Sequence, residues 1–172
     1  MALPLRLMSY NPLWPQEFEQ SRSLLLWATA GWVHAVEHIG STALPECLAQ
    51  PVVDLLAGMQ DLQGLNAAAE LIEGLNYARL ESPEWCADEL TALLVKPRRG
   101  PWTHSVLLVR HDGPAWKRAL AIRQRLTNNL HDRQLLQNLK RDYFSSDCHA
   151  AVRYAAAKAV FFQNLEQQIA DS

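Results

Sequence analysis

Glu37-His38-Ile39-Gly40-Ser41-Thr42-Ala43-Leu44-Pro45, followed shortly by Pro51-Val52-Val53-Asp54-Leu55-Leu56-Ala57, is the stretch that decides the fold. Val33 to Ile39 reads as a strand. Val33, Ala35, Glu37 and Ile39 are expected on one face, and His34, Val36 and His38 on the other. Gly40-Ser41-Thr42 interrupts it, and a short helix is expected to about Ala49. The run from Pro51 to Ala57 is apolar and β-branched, which reads as a buried strand with Asp54 in its middle.

Upstream, Pro12 and Pro15 bracket Trp14, and a helix is expected from near Pro15 to about Thr29, with Glu17 and Glu19 suited to its N-terminal dipole. Downstream, Leu62 to Leu75 reads as a helix ended by Gly74 or Asn76. Short strands are expected over 77–81, 90–96 and 104–110, the last two joined by the turn-rich Pro97-Arg98-Arg99-Gly100-Pro101. Beyond Gly113 the pattern is helical over about 114–128, 131–144 and 147–168, with Asp147 as N-cap of the last. The fold class is α/β (α+β): a small mixed sheet flanked by helices, with a helical C-terminal third.

The chain has 172 residues, enough for one domain spanning 1–172 with a core that needs no disulfide or metal. Hydrophobic residues make up 49% and charged residues 20%, which excludes a disordered chain. The formal charge of -2 gives no basis for a nucleic-acid partner or an anionic-membrane patch. Cys47, Cys86 and Cys148 form neither a disulfide framework nor a zinc spacing. With no signal peptide and no apolar run long enough to span a bilayer, the expected location is cytoplasmic and the expected partners do not include a membrane.

Three features carry possible chemistry. Gly40 after a strand permits close backbone approach, Ser41 adds a hydroxyl, and the following helix N-terminus adds N–H donors, a combination suited to phosphate. Asp54, between Val53 and Leu55, needs a cation, a metal or hydrogen bonds. An ordinary turn and a strand Asp capping nearby backbone explain the same residues. Second, Arg123, Lys140 and Lys158 each lie on an apolar row of a different expected helix. Either each snorkels independently, or they converge on an anionic ligand or on acids such as Asp54 and Glu37. Third, His38 precedes the glycine turn and His104 opens a strand. Ser41 and His38 offer a nucleophile and a base, but no third group orients them, which argues against serine hydrolysis.

Taken together these residues resemble a known family. Tyr10-Asn11-Pro12-Leu13-Trp14-Pro15 with Phe18 is similar to the opening of the GrpB-like family of the nucleotidyltransferase-like superfamily. The Glu37–Pro45 stretch resembles its signature turn, and Pro51-Val52-Val53-Asp54 follows at the family spacing. Leu75-Asn76-Tyr77, Pro114-Ala115-Trp116, Ile122-Arg123, Leu139-Lys140 and Tyr154-Ala155-Ala156-Ala157-Lys158 match its later pattern, so the likeness runs from about residue 10 to 165.

The resemblance implies a nucleotide or other phosphate-bearing ligand. His38, Gly40, Ser41, Thr42, His104, Arg123, Lys140 and Lys158 are its candidate contacts, and Asp54 and Glu37 the candidate catalytic acids. It also implies Mg²⁺ or Mn²⁺ at Asp54, in support of phosphoryl transfer. Active nucleotidyltransferases carry a second acid two positions on, where this chain has Leu56. Gln50, Glu46, Ile122, Gln124 and Leu107 depart from the GrpB-like pattern itself. Two classes of function are therefore expected: a nucleotide- or phosphate-binding domain with transferase chemistry, or a non-catalytic binding or adaptor domain without a complete metal site.

Overall fold

The chain alternates strand-forming and helix-forming runs, and the computed structural model, which describes residues 6–144 and 150–172, assembles them around one mixed five-stranded sheet. The strands are β1 (Val33–Ile39), β2 (Val53–Met59), β3 (Ala78–Leu80), β4 (Ala92–Lys96) and β5 (His104–Arg110), in spatial order β1-β2-β5-β4-β3. Only β2 and β5 run parallel; every other neighbouring pair is antiparallel. Both strands of the parallel pair are covered on two faces, so they read as nearly continuous apolar runs.

One face of the sheet is covered by α1 (Trp14–Ala28) and α2 (Leu65–Glu73). Trp14, Phe18 and Leu25 of α1 and Leu65, Ala68, Ala69 and Ile72 of α2 pack there on Val53, Leu55, Ala57, Val106 and Leu108. The opposite face is covered by α3 (Pro114–Asn128), whose Ala115, Trp116 and Ala119 meet Leu56, Leu107 and Val109. The helices α4 (Leu130–Tyr143) and α5 (Ala150–Ala170) complete the chain. Leu126, Leu136 and Leu165 from these three helices enclose Leu44 and Cys47, so the segment after β1 is clamped under the C-terminal helices. No helix among the described residues is long and apolar enough to cross a membrane.

Three local expectations change. The short helix after β1 is a single 3₁₀ turn, Ser41–Ala43. Leu44 is already extended, and Glu46 takes a left-handed φ of 63°, so the chain turns back toward β2 instead of propagating a helix. A helix N-terminus for a phosphate is thereby lost. The strand begun at Pro51 starts at Val53, since Val52 bonds back to Gln50 rather than into the ladder. A register shift between Val33 and Ala35 puts Val33 in the α1-side core with Val36, where strict alternation places it on the other face. Asp147, expected as an N-cap, lies outside the described residues.

Candidate functional site

The β1–β2 register places Ile39 opposite Asp54 and Glu37 opposite Leu56. The β2–β5 register places Ser105 beside Asp54. Paired residues share a face, so Asp54, Leu56, Glu37 and Ser105 all lie on the side of the sheet that the C-terminal helices cover. Ser105 Oγ donates to Asp54 Oδ1 at 2.5 Å. The second carboxylate oxygen sits directly over Gly40: a Cβ built there would lie 2.3 Å from Oδ2. Gly40 adopts φ 74°, ψ -174°, a conformation that L side chains rarely take. The glycine therefore makes room for Asp54, where the sequence suggested room for a ligand.

Lys140 is the most deeply placed cation of the site, 2% exposed. It descends from α4 one turn after Leu136. Its ammonium donates to Ser41 Oγ and, at 2.6 Å, to the Leu48 carbonyl. Burial drops its pKa from 10.5 to about 8; Lys158 pushes the same way, while Cys47 and Asp54 oppose. Lys158, on α5, sits over the rings of Tyr154 and Phe162 at 5.9 Å from each centroid. Both lysines act through space on Asp54. Among the described residues no cation stands within ion-pair distance of that carboxylate. Burial pushes the Asp54 carboxyl above its usual range, against the Ser105 hydrogen bond and the two lysines.

Arg123 reaches the same face from α3. Its Nη1 donates to Glu37 Oε2 at 2.7 Å and to the His38 carbonyl at 2.8 Å. It ties β1 to α3, and it commits the Glu37 carboxylate to a neighbouring guanidinium. Glu37 lies one side-chain repeat along the strand from Asp54's partner Ile39, about 7 Å away by strand geometry.

The two histidines are not brought together with Asp54. His38 faces α1, where its ring stacks on Phe18 with centroids 4.8 Å apart. Its Nε2 lies 2.9 Å from Thr42 Oγ1, and that hydroxyl gives its single proton to the Val52 carbonyl. Nε2 must therefore carry the hydrogen and donate to Thr42. Burial, assisted by Arg123, lowers the His38 pKa to about 4, so the ring stays neutral. His38 and Thr42 together pin the Gly40-Ser41 turn to β2 from behind. His104 pairs with Val53 and shares its face; its Nδ1 meets Thr103 Oγ1 at 2.9 Å.

Ser105 and the Leu48 carbonyl belong to the site and were not singled out in the sequence. Alternation from His104 assigns Ser105 to one face of β5, but only the β2–β5 register shows that this is the face of Asp54. The residues do not fit a protein-held Mg²⁺ or Mn²⁺. Such ions want several oxygen ligands. Here the second-acid position is Leu56, fully buried among Leu107 and Trp116, and Glu37 is engaged by Arg123. Two ammonium groups act on the one remaining carboxylate. Among the described residues no three His, Cys, Asp or Glu side chains are grouped to hold a metal.

Because Asp54 is a carboxyl held without a contacting cation, Asp54→Asn should leave the fold intact and raise its stability at neutral pH. In the native state the carboxyl keeps its proton to higher pH than in the unfolded chain. Wild-type stability therefore falls as pH rises from the unfolded value of 3.8 through the raised native one. Asparagine escapes that loss while still accepting from Ser105. We expect a higher Tm at pH 7, a gain that vanishes in acid below pH 3.8. Thermal unfolding across pH checks this, and a neutral-pH loss of ~3 kcal/mol would instead mark Asp54 as one half of a structural ion pair.

A family model described as GrpB protein matches residues 4–168. A UPF0157 protein of Halalkalibacterium halodurans is 26% identical over 163 residues, covering 94% of this chain and 80% of the relative. The glutamate-rich protein GrpB of Alkalihalophilus pseudofirmus is 24% identical over 124 residues, 72% of this chain and 71% of its own. The crystal structure of the conserved protein GrpB from Enterococcus faecalis superposes with a TM-score of 0.82 at 24% identity, covering 95% of this chain and 96% of that one, and shares the fold.

Proposed function

Since this chain belongs to the GrpB family, whose fold sets the Gly40-Ser41 turn against Asp54 and the C-terminal helices, we propose that it binds a phosphate-bearing small molecule of the nucleotide class there. The observation that carries this reading is a local excess of positive charge. Lys140 and Lys158 come from different helices and act on one site, and the single carboxylate between them is one whose ionisation burial opposes. A buried cation without a contacting counter-ion is costly, and an anion seated at Ser41 relieves that cost. In this reading Ser41 and Lys140 hold a phosphate oxygen from the turn side, Lys158 neutralises it from α5, and Arg123 keeps the β1 wall in place. Asp54, whose ionisation burial opposes, keeps its proton to higher pH and so does not repel the anion.

A thermal-shift screen of nucleoside mono-, di- and triphosphates, with and without Mg²⁺ or Mn²⁺, tests it. Binding is expected to stabilise the protein without added metal, in keeping with the donor set at Asp54. Stabilisation seen only with metal would contradict the charge argument.

A second reading is favoured by Leu56 and by the Glu37–Arg123 pair, which fill the positions a transferase would use. On that reading the domain binds its ligand and passes on no group. Failure of every nucleotide to yield a transferred product, with binding retained, selects it.

A further inference from the structure

Ser41 and Lys140, which hold the phosphate oxygen in the phosphate-binding reading, also touch each other directly, a contact that binding alone leaves unused. Ser41 is half-buried, on a turn pinned by His38 and Thr42. Behind it, Lys140 is 2% exposed and touches the hydroxyl directly. Its other contact, the Leu48 carbonyl, fixes the amine's orientation. A reactive serine needs a hydroxyl open to substrate, a base in contact with its oxygen, and a third group that aims the base. His38 fails as that base, because its ring lies on the far face of the sheet against Phe18. Half-exposed Ser41, Lys140 in contact with its oxygen and the Leu48 carbonyl that aims the amine meet the three conditions together.

We propose that Ser41 is a nucleophile and Lys140 its general base, so that the site takes up a phosphoryl group covalently from a phosphoanhydride. The proposal rests on the reading of this site as a phosphate pocket and adds a reaction to it. Ser41 Oγ attacks phosphorus, and the Oγ–P bond forms. The bond to the bridging oxygen breaks, and its electron pair leaves on the departing phosphate. The hydroxyl proton passes to Lys140 Nζ. Before the step the neutral amine keeps one N–H on the Leu48 carbonyl and turns its lone pair to Oγ. Lys158 stands over the site as the cation that offsets the negative charge of the transferring group.

The groups facing Lys140 from the packed elements are Cys47 after the turn, Asp54 on β2 and Lys158 on α5. Together with burial they set its pKa near 8, so about half of the amine is free base at pH 8 in the unliganded protein.

The test is covalent labelling of the purified protein with a fluorophosphonate, read by intact mass and peptide mapping. Here the Oγ–P bond forms, the P–F bond breaks and fluoride leaves. A single adduct on Ser41 is expected, with a rate that climbs about tenfold per pH unit below pH 8 and levels off above it. Ser41→Ala should abolish it. Lys140→Arg keeps a cation near Leu48 but accepts no proton in this range, and should slow labelling by about 10²-fold and erase the pH step. Should that variant fail to fold, the wild-type pH profile decides alone. No Ser41 adduct on folded wild type on either side of pH 8, or a rate indifferent to pH, overturns the proposal. The probe needs no nucleotide pocket, so labelling without nucleotide binding would sink only the pocket reading. Nucleotide binding without labelling would sink only the nucleophile.

Discussion

Gly40→Val should unfold the protein at a temperature lower by roughly 4–24 °C. Two costs add at this position. A β-branched residue must be forced to φ 74°, a left-handed conformation that costs roughly 1–3 kcal/mol. Its Cβ would also lie 2.3 Å from Asp54 Oδ2 and 3.2 Å from Cγ, an overlap worth about 1–3 kcal/mol more. At roughly 2–4 °C per kcal/mol for a chain of this size, the sum is readily measured. Asp54 can escape only by breaking its bond to Ser105 or by moving toward the lysines. The Gly40→Ala and Asp54→Ala changes should therefore couple in a double-mutant cycle, the second change being cheaper once the first is made. A Gly40→Val protein that melts within about 2 °C of wild type would show that Asp54 does not occupy this space.

The second large effect concerns Lys140 and pH. Its folded pKa of about 8 lies below the ordinary 10.5, so between those values the unfolded chain binds a proton that the native protein has released. Stability contributed by this group therefore rises with pH across that window and is at its lowest below pH 8. At 1.36 kcal/mol per pH unit, the full span amounts to roughly 3 kcal/mol. Lys140→Met keeps the stem that packs beside Leu136 and has no proton to exchange. The difference between wild type and Lys140→Met should shift in favour of wild type by about 3 kcal/mol between pH 8 and 10.5. Taking the difference cancels Tyr77 and Tyr154, whose hydroxyls burial pushes up to about 12 in both proteins. Chemical denaturation at several pH values reads it. Parallel pH profiles for the two proteins would mean that Lys140 is solvated in the folded state.

What the sequence disclosed, and what it withheld, follows from the range of the interactions. β1, β2 and β5 were legible because their alternation and apolar runs are local signals. The cations were legible because Arg123, Lys140 and Lys158 each break an apolar row, and the fold brings all three to the covered face where Glu37, Ser41 and Asp54 lie. The helix expected after Gly40 did not form, because Leu44 is extended and Glu46 left-handed, and Leu44 and Cys47 are instead packed under Leu126, Leu136 and Leu165 of the C-terminal helices, contacts that no local pattern encodes. Ser105 was missed because its meeting with Asp54 depends on how two strands fifty residues apart align, and no local pattern encodes register between distant strands. The reason for Gly40 was misjudged in the same way: the atom that needs the space comes from the next strand. GrpB-family membership fixes the frame, within which Lys140 and Lys158 act on Asp54 and set the charge balance of the site.

That charge balance is the centre of the account, and titration calorimetry with inorganic tripolyphosphate tests it without reference to any nucleobase. We expect saturable binding without metal, weakened about tenfold or more by Lys158→Gln, as suits the loss of one charge-assisted contact. Because the anion favours the ammonium form of Lys140, binding at pH 8 should also take up a proton, visible as a dependence of the measured heat on the ionisation enthalpy of the buffer. Absence of binding to folded protein, or binding that Lys158→Gln leaves unchanged and that takes up no proton, would contradict the claim that Ser41, Lys140 and Lys158 form a phosphate site.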